Sequence, residues 1–235
     1  MGIRKLLDEK KGNGEPWFID RINRWFMQDS SRRRKGGYFR PSGISMCARE
    51  NLYNYLGLDI FPALDLQSIK YMFRGTKHHD IWQEIFTEAG VEITVPDFFN
   101  TTNPAMKGKG DWIATDPSKL EHLIEWKSTQ GTGKLSWEHN TQWTLYSWAY
   151  GIPRGYIVKE NPSSLAITPI KMSLNEEYLN AILDWLRMIE QYARDREMLE
   201  YDPKCGPGNG WGKSCDVYGF CHSEAGGHPW GVVKL

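Results

Sequence analysis

Neither sign of charge is in surplus in this chain of 235 residues: 29 basic side chains face 29 acidic ones. A net charge of zero removes any global pull toward an anionic partner, so such a partner would have to be met by a local basic patch. No uninterrupted apolar run approaches the roughly 18 residues that a membrane span needs. The first ten residues lack the long apolar stretch of a signal peptide. Gly2 is not followed by the Ser or Thr at the sixth position that favours myristoylation. A cytoplasmic location without membrane association is therefore expected. Internal repeats and low-complexity tracts are absent. Cysteine is scarce, four residues in all, and a reducing cytosol argues against pairing them as two disulfides.

What is abundant is aromatic: eleven tryptophans stand in the chain. Most are expected in the core, with one or two available to stack on bases. The densest basic run is Arg32-Arg33-Arg34-Lys35, extended by Arg40; it reads either as a DNA path or as a solvated loop. Length and pattern predict one α/β domain with a small appendage. Hydrophobic periodicity predicts helices over 15–28, from a Ser45 cap to a Gly57 stop, over 66–89 closed by Gly90, over 137–150 and over 175–198. The last of these has a buried stripe of Leu179, Ile182, Leu183, Leu186 and Ile189. The middle of the chain switches to a strand period at 91–98, 107–115 and 120–129, with Asp116-Pro117-Ser118 as a turn. Further strands are expected at 155–159 and 165–172.

The chemistry sits on and beside those strands. Alternate residues of a strand share a side, so Glu125 and Lys127 are expected to project together while Ile124 and Trp126 face the core. Asp111, one short turn earlier and after a glycine, can lie beside Glu125. Two converging carboxylates suit Mg²⁺ or Mn²⁺, hard cations that take oxygen ligands. Lys127 then stands ready to orient a water or to offset charge on a phosphorane. By itself Glu-x-Lys also fits an ordinary solvated strand face.

Four elements in order carry a resemblance: Gly75-x-x-x-His79, Asp111 closing Gly-Lys-Gly-Asp, Glu125-Trp126-Lys127, and Gln142-x-x-x-Tyr146. From about Arg40 to Cys221 the chain resembles the RecB-like branch of the PD-(D/E)xK nucleases, whose relatives include CRISPR-associated spacer-processing and recombination exonucleases. The resemblance implies a restriction-endonuclease-like central mixed sheet flanked by helices. It implies a metal held by His79, Asp111, Glu125 and the backbone carbonyl of Trp126, with Asp111, Glu125 and Lys127 catalytic. Gln142 and Tyr146, one helical turn apart, would contact DNA or support the site. His78 is the adjacent alternative to His79, rotated by about 100° on an ideal helix.

The same resemblance extends to Cys47, Cys205, Cys215 and Cys221. Pro41-Ser42, Cys47-x-Arg49 and Tyr53 are similar to the opening motif of RecB-like nucleases that carry a 4Fe–4S cluster, and the closing Cys215 and Cys221 fit as well. Nine residues separate Cys205 from Cys215, where the family commonly has two. Zinc would use the same four thiolates, and free thiols are the remaining reading. Either metal would join the N-terminal segment to the tail. The implied organisation is an N-terminal helical segment at 1–65, a nuclease core at 66–199 and a cysteine-rich tail at 200–235. Gly212-Lys213-Ser214 looks like the end of a Walker A loop, but Pro207 stands where a glycine is required and no strand leads in.

The expected function is a Mg²⁺- or Mn²⁺-dependent DNA exonuclease, single strands favoured. Without a helicase motif, it would act alone or beside a helicase or recombination partner. Three other readings remain: a non-catalytic nucleic-acid-binding or scaffold subunit, a module organised by a four-cysteine zinc site, and a site-specific endonuclease.

Overall fold

The computed structural model describes residues 17–28, 36–58, 60, 66–129, 135–164, 166–200, 205, 215 and 217–223. The basic run at 32–35 and the glycine-rich insert at 206–214 lie outside the described residues. Among the described residues no helix is long and apolar enough to cross a membrane.

The helices are α1 (Trp17–Gln28), α2 (Ala48–Leu56), α3 (Leu66–Glu88), α4 (Trp137–Tyr150), α5 (Glu176–Asp195) and the single turn α6 (Tyr218–Cys221). The strands are β1 (Glu92–Thr94), β2 (Phe99–Thr102), β3 (Ala105–Gly108), β4 (Trp112–Thr115), β5 (Glu121–Ser128), β6 (Arg154–Glu160) and β7 (Ile167–Ser173). Two compact units divide them. One holds α1 and the stretch of α3 up to His78; the other begins again at His79 and holds everything else, with 36–58 included. Within the first, Trp25, Phe26 and Phe73 meet edge to face at 5.0–5.4 Å, and Lys70 Nζ donates to Asn23 Oδ1 at 2.7 Å.

The second unit is organised by a five-stranded sheet in the order β1-β4-β5-β6-β7. β5 and β6 are parallel, joined through α4, and the other neighbours are antiparallel. Parallel neighbours cannot be linked by a tight turn, which is why a helix intervenes here. The three strands expected at 91–98, 107–115 and 120–129 are rearranged. The stretch read as one strand from 107 to 115 breaks at Lys109–Asp111 into β3 and β4. Before it, β2 and β3 form a separate hairpin, so β1 pairs with β4 instead of with its successor. Polar, half-exposed residues in Phe99–Thr102 hid this hairpin from a reading based on apolar period.

Helix ends follow local chemistry. Gly57 and Gly151 close α2 and α4 in the left-handed conformation that a Cβ disfavours, with φ of 68° at both. Asn175 and Ser136 cap α5 and α4 by accepting from backbone N–H groups. Ser45 does not cap α2. Its Oγ accepts from Cys47 N, while the buried Asn51 amide donates to the carbonyls of Ser45 and Cys47. The stripe expected on α5 is buried at all five positions.

Both faces of the sheet are covered. Trp112, Ile124, Trp126 and Val158 pack against Trp82 and Phe86 of α3. Leu123 and Ile157 pack against Trp143 and Tyr146 of α4. Glu125 and Lys127 therefore do not face solvent opposite a buried side, as a half-exposed strand would have them; Glu125 is buried with only 1% of its surface exposed.

Candidate active site

β5 passes between β4 and β6, and its C-terminal half outruns β4, whose last partner there is Trp112 opposite Ile124. The next ladder position is taken by a side chain: Asp111 Oδ2 accepts from Trp126 N at 2.7 Å. A residue's N–H and C=O point to the same side of an extended strand, so the Trp126 carbonyl is directed toward Asp111 as well. His79, on α3, places Nδ1 3.2 Å from Asp111 Oδ1. Of the two adjacent histidines, it is His79 that reaches the site. A Cβ built at Gly75 meets nothing within 4 Å among the described residues.

Glu125 is clamped from two directions. Its Oε1 accepts from Lys127 Nζ and from Gln142 Nε2, both at 2.7 Å. Gln142 Oε1 in turn accepts from Lys127 Nζ at 2.9 Å. The other carboxylate oxygen, Glu125 Oε2, is buried with no hydrogen-bond partner among the described residues. Burial pushes the Asp111 carboxyl up, against the pull of Lys127 and the Trp126 N–H. Burial also pushes Glu125 up, and the neighbouring Asp111 charge adds to it. Two carboxylates whose ionisation is disfavoured by burial and by each other, one with an orphaned oxygen, form a site deficient in positive charge.

Among the described residues no group of three or more His, Cys, Asp or Glu side chains is arranged to hold a metal ion, here or around the cysteines. The donor set of His79, Asp111, Glu125 and a backbone carbonyl is nonetheless hard and oxygen-rich. Together with the orphaned Glu125 Oε2, it fits Mg²⁺ or Mn²⁺.

Tyr146 lies one turn beyond Gln142 on α4. Its phenol is held protonated well above the usual range, first by burial and then by the Glu125 charge. The column continues to Tyr150, which sequence reasoning left out. The Tyr150 hydroxyl accepts from Gly110 N at 3.0 Å and donates to the Asp97 carbonyl at 3.0 Å, so it anchors the turn leading into Asp111. Continuing the i, i+4 spacing of Gln142 and Tyr146 would have found it. Three more residues were missed. Lys159 stands opposite Lys127 in the parallel register. His139, three residues before Gln142, has a buried Nδ1 with no partner among the described residues. Its ring is held neutral by burial, then by Lys127 and Lys159. On the opposite face, Glu160 Oε2 accepts from the indoles of Trp82 and Trp126 at 3.0 and 2.9 Å, tying α3 to the sheet.

The cysteines sit apart from this centre. Cys47, Cys205 and Cys215 line one cavity of about 310 Å³. Cys221 is buried in the adjoining cluster with Tyr53, Leu58 and Val217, and its sulfur accepts from Arg49 Nη1 at 3.5 Å. Arg49 also donates to the Leu199 carbonyl at 2.6 Å, which bonds α2 to the chain beyond α5. Burial pushes the Cys215 thiol up to about 11 and raises Cys47 as well. Soft thiols around a shared cavity suit iron–sulfur or zinc.

A central mixed sheet with helices on both faces, built on this strand order, is a restriction-endonuclease-like fold. Solved structures of that kind align over most of the chain. The crystal structure of SSO0001 matches with a TM-score of 0.52 at 15% identity, covering 89% of this chain and 98% of that one. An alkaline exonuclease (LHK-Exo) from Laribacter hongkongensis matches with a TM-score of 0.50 at 16% identity, covering 73% and 92%. The same enzyme in complex with dAMP gives 0.50 at 14% identity, covering 68% and 89%. At this identity the likeness is one of fold. No family model and no curated protein matches the sequence.

Proposed function

We propose that this protein is a Mg²⁺- or Mn²⁺-dependent deoxyribonuclease that acts as an exonuclease at DNA ends, with single strands favoured. The observation that carries the reading is the buried, orphaned Glu125 Oε2 beside the Asp111 carboxylate, with Lys127 bonded to the same glutamate. Glu190, ion-paired with Arg194, also leaves one buried oxygen without a partner among the described residues; what sets Glu125 apart is the second buried carboxylate, Asp111, whose charge adds to its own. An exonuclease among proteins of the same fold supports the exonuclease mode over the endonuclease alternative.

A divalent ion held by Asp111, Glu125, the Trp126 carbonyl and His79 would supply a Lewis acid that acidifies water and offsets phosphate charge. The chain's own groups do the rest. The Trp126 N–H and His79 fix the Asp111 carboxylate in one orientation. Gln142 and Lys127 hold Glu125 in its rotamer, and the lysine favours its ionised form. With substrate present, the Lys127 ammonium can orient the attacking water or donate to a non-bridging phosphate oxygen. The buried apolar walls of the site keep the local dielectric low and so strengthen each of these contacts.

The same reading assigns Cys47, Cys205, Cys215 and Cys221 to a 4Fe–4S cluster, with zinc as the alternative occupant. Its role would be to staple α2 to the tail; the cavity shared by Cys47, Cys205 and Cys215, with Cys221 buried in the adjoining cluster, supports it.

The test is degradation of end-labelled single- and double-stranded DNA with Mg²⁺ or Mn²⁺, wild type beside Lys127→Ala. Metal-dependent cleavage by the wild type is expected, with a loss in the variant of about a thousandfold, the scale of removing one preorganised stabilising donor. Intact, metal-loaded wild type that cleaves neither substrate would sink the nuclease reading in favour of a binding subunit. Product order along the strand reads the polarity.

A further inference from the structure

The hairpin between β1 and β4 has no part in the catalytic chemistry, yet its two faces differ sharply. Phe39 bridges Met106 in parallel, with Phe39 N donating to Ala105 O and Lys107 N to Phe39 O, so the segment 38–40 runs beside β3 through this single bridge. Side chains alternate across such a sheet. Phe39 and Met106 are buried on the inner face, where Phe99 meets Tyr146 edge to face at 5.9 Å. Tyr38, Arg40, Lys107 and Asn100 alternate to the outer face, and Phe98 and Lys109 continue it past the open end of the hairpin.

That outer face pairs rings with cations. Arg40 and Lys107 each lie 4.8 Å from the Tyr38 ring centre, and Lys109 lies 5.5 Å from that of Phe98. Phe98 is 77% exposed, the highest among the large apolar side chains of the described residues. The named outer-face residues include three cations and no acid. A single exposed phenylalanine is ordinary on a protein surface; what marks this face is the pairing of its rings with cations. Rings flanked by cations match the stacking platform of single-stranded nucleic acid, where bases lie on π-faces and Lys or Arg meets the phosphates. The face is also tied to the catalytic turn: Lys109 is followed by Gly110, whose N–H is held by Tyr150, and then by Asp111.

We propose that this outer face is a single-stranded DNA subsite, with a base stacked on Phe98 and the flanking phosphates met by Lys109, Lys107 and Arg40, feeding the strand toward Asp111. The proposal rests on the deoxyribonuclease reading for its choice of DNA and for the direction of feed. It also reassigns the base-stacking role that the sequence placed on tryptophan.

The experiment is fluorescence anisotropy of labelled single-stranded DNA, blunt duplex and matching single-stranded RNA in EDTA, which withholds the metal. Wild type is compared with Phe98→Ala/Lys109→Ala and with Phe98→Trp. The double variant should lose about tenfold or more in single-strand affinity, change little on duplex, and raise KM for single-stranded DNA far more than it lowers kcat. Phe98→Trp, which keeps a ring, should bind as wild type does. Phe98 is exposed, so a melt matching wild type will show that the fold survives. Unchanged single-strand affinity in the double variant overturns the subsite. So does an equal loss on duplex, or tighter binding of the RNA. Metal-dependent cleavage by wild type is scored separately: its absence removes the nuclease reading, whereas intact cleavage with unchanged variant affinity removes only the subsite.

Discussion

Two buried carboxylates side by side, Asp111 and Glu125, the latter with one oxygen lacking a hydrogen-bond partner among the described residues, are the residue-scale feature that carries the proposed function. Asp111 and Glu125 both bind their protons more tightly in the folded chain than in the unfolded one. Their contribution to stability is therefore fully present below the unfolded values, near 4, and is lost as pH rises through the raised folded values. Metal-free protein should accordingly melt at lower temperature at pH 8 than at pH 5. Added Mn²⁺ should recover more at pH 8, because its ligands must be deprotonated to bind. Glu125→Gln removes one charge of the pair. It should raise the metal-free melting temperature at pH 8 by roughly 2–4 °C, the equivalent of about 1 kcal/mol for a chain of this size, while abolishing both cleavage and the Mn²⁺ response. Calorimetry across pH with and without Mn²⁺ checks this; a variant that still responded to Mn²⁺ would take Glu125 out of the metal site.

At the scale of elements, β5 is the keel and α4 the clamp. β6 runs parallel to β5 at closest approach where Gly155 faces Leu123. A Cβ at Gly155 would overlap the Leu123 backbone carbonyl, and backbone cannot yield as a side-chain tip can. Gly155→Ala should therefore destabilise by roughly 3 kcal/mol or more, and urea melts would measure it. Along α4, Gln142, Tyr146 and Tyr150 form one column, of which the last holds Gly110 and Asp97 in place. Tyr150→Phe should cost about 1 kcal/mol in stability and more in kcat than in KM, since it loosens the turn before Asp111. A variant with wild-type kcat would show that the turn is held without that hydroxyl.

At the scale of the whole molecule, residues far apart in sequence meet around the cysteines. Arg49 reaches Leu199 and Cys221, and Tyr53 meets Phe220 edge to face at 5.4 Å. Burial raises the proton affinity of the Cys47 and Cys215 thiols, so neither ionises readily by itself. Cys215→Ala is expected to lose bound iron and its brown absorbance and to lower the melting temperature, while Lys127→Ala keeps both. Iron analysis and visible spectra decide it, and a colourless wild type containing zinc would replace the cluster with the alternative metal. Retention of iron and stability in the cysteine variant would remove the staple.

Much of this was written locally. The stripe of α5 and the sharing of one side by Glu125 and Lys127 follow from periods of 3.6 and 2, which any short window carries, and the stop of α2 from the missing Cβ of Gly57. The order of the acidic and basic residues, with Gln142 and Tyr146 spaced by one helical turn, was likewise open to reading in one dimension. Other features came only with the assembled chain. β1 pairs past a hairpin onto β4, a choice made by long-range packing and not by any residue in β1. Glu125 is buried because α4 covers its face of the sheet, and burial, not residue type, is what raises its proton affinity and strands its second oxygen. Lys159, His139 and Tyr150 join the site through a parallel register and a helix face, relations between segments that no single segment encodes. The chemical groups and their local geometry are properties of short windows of chain. Which of those groups lose their water is a property of the assembled fold, because desolvation depends on every element that closes over a residue.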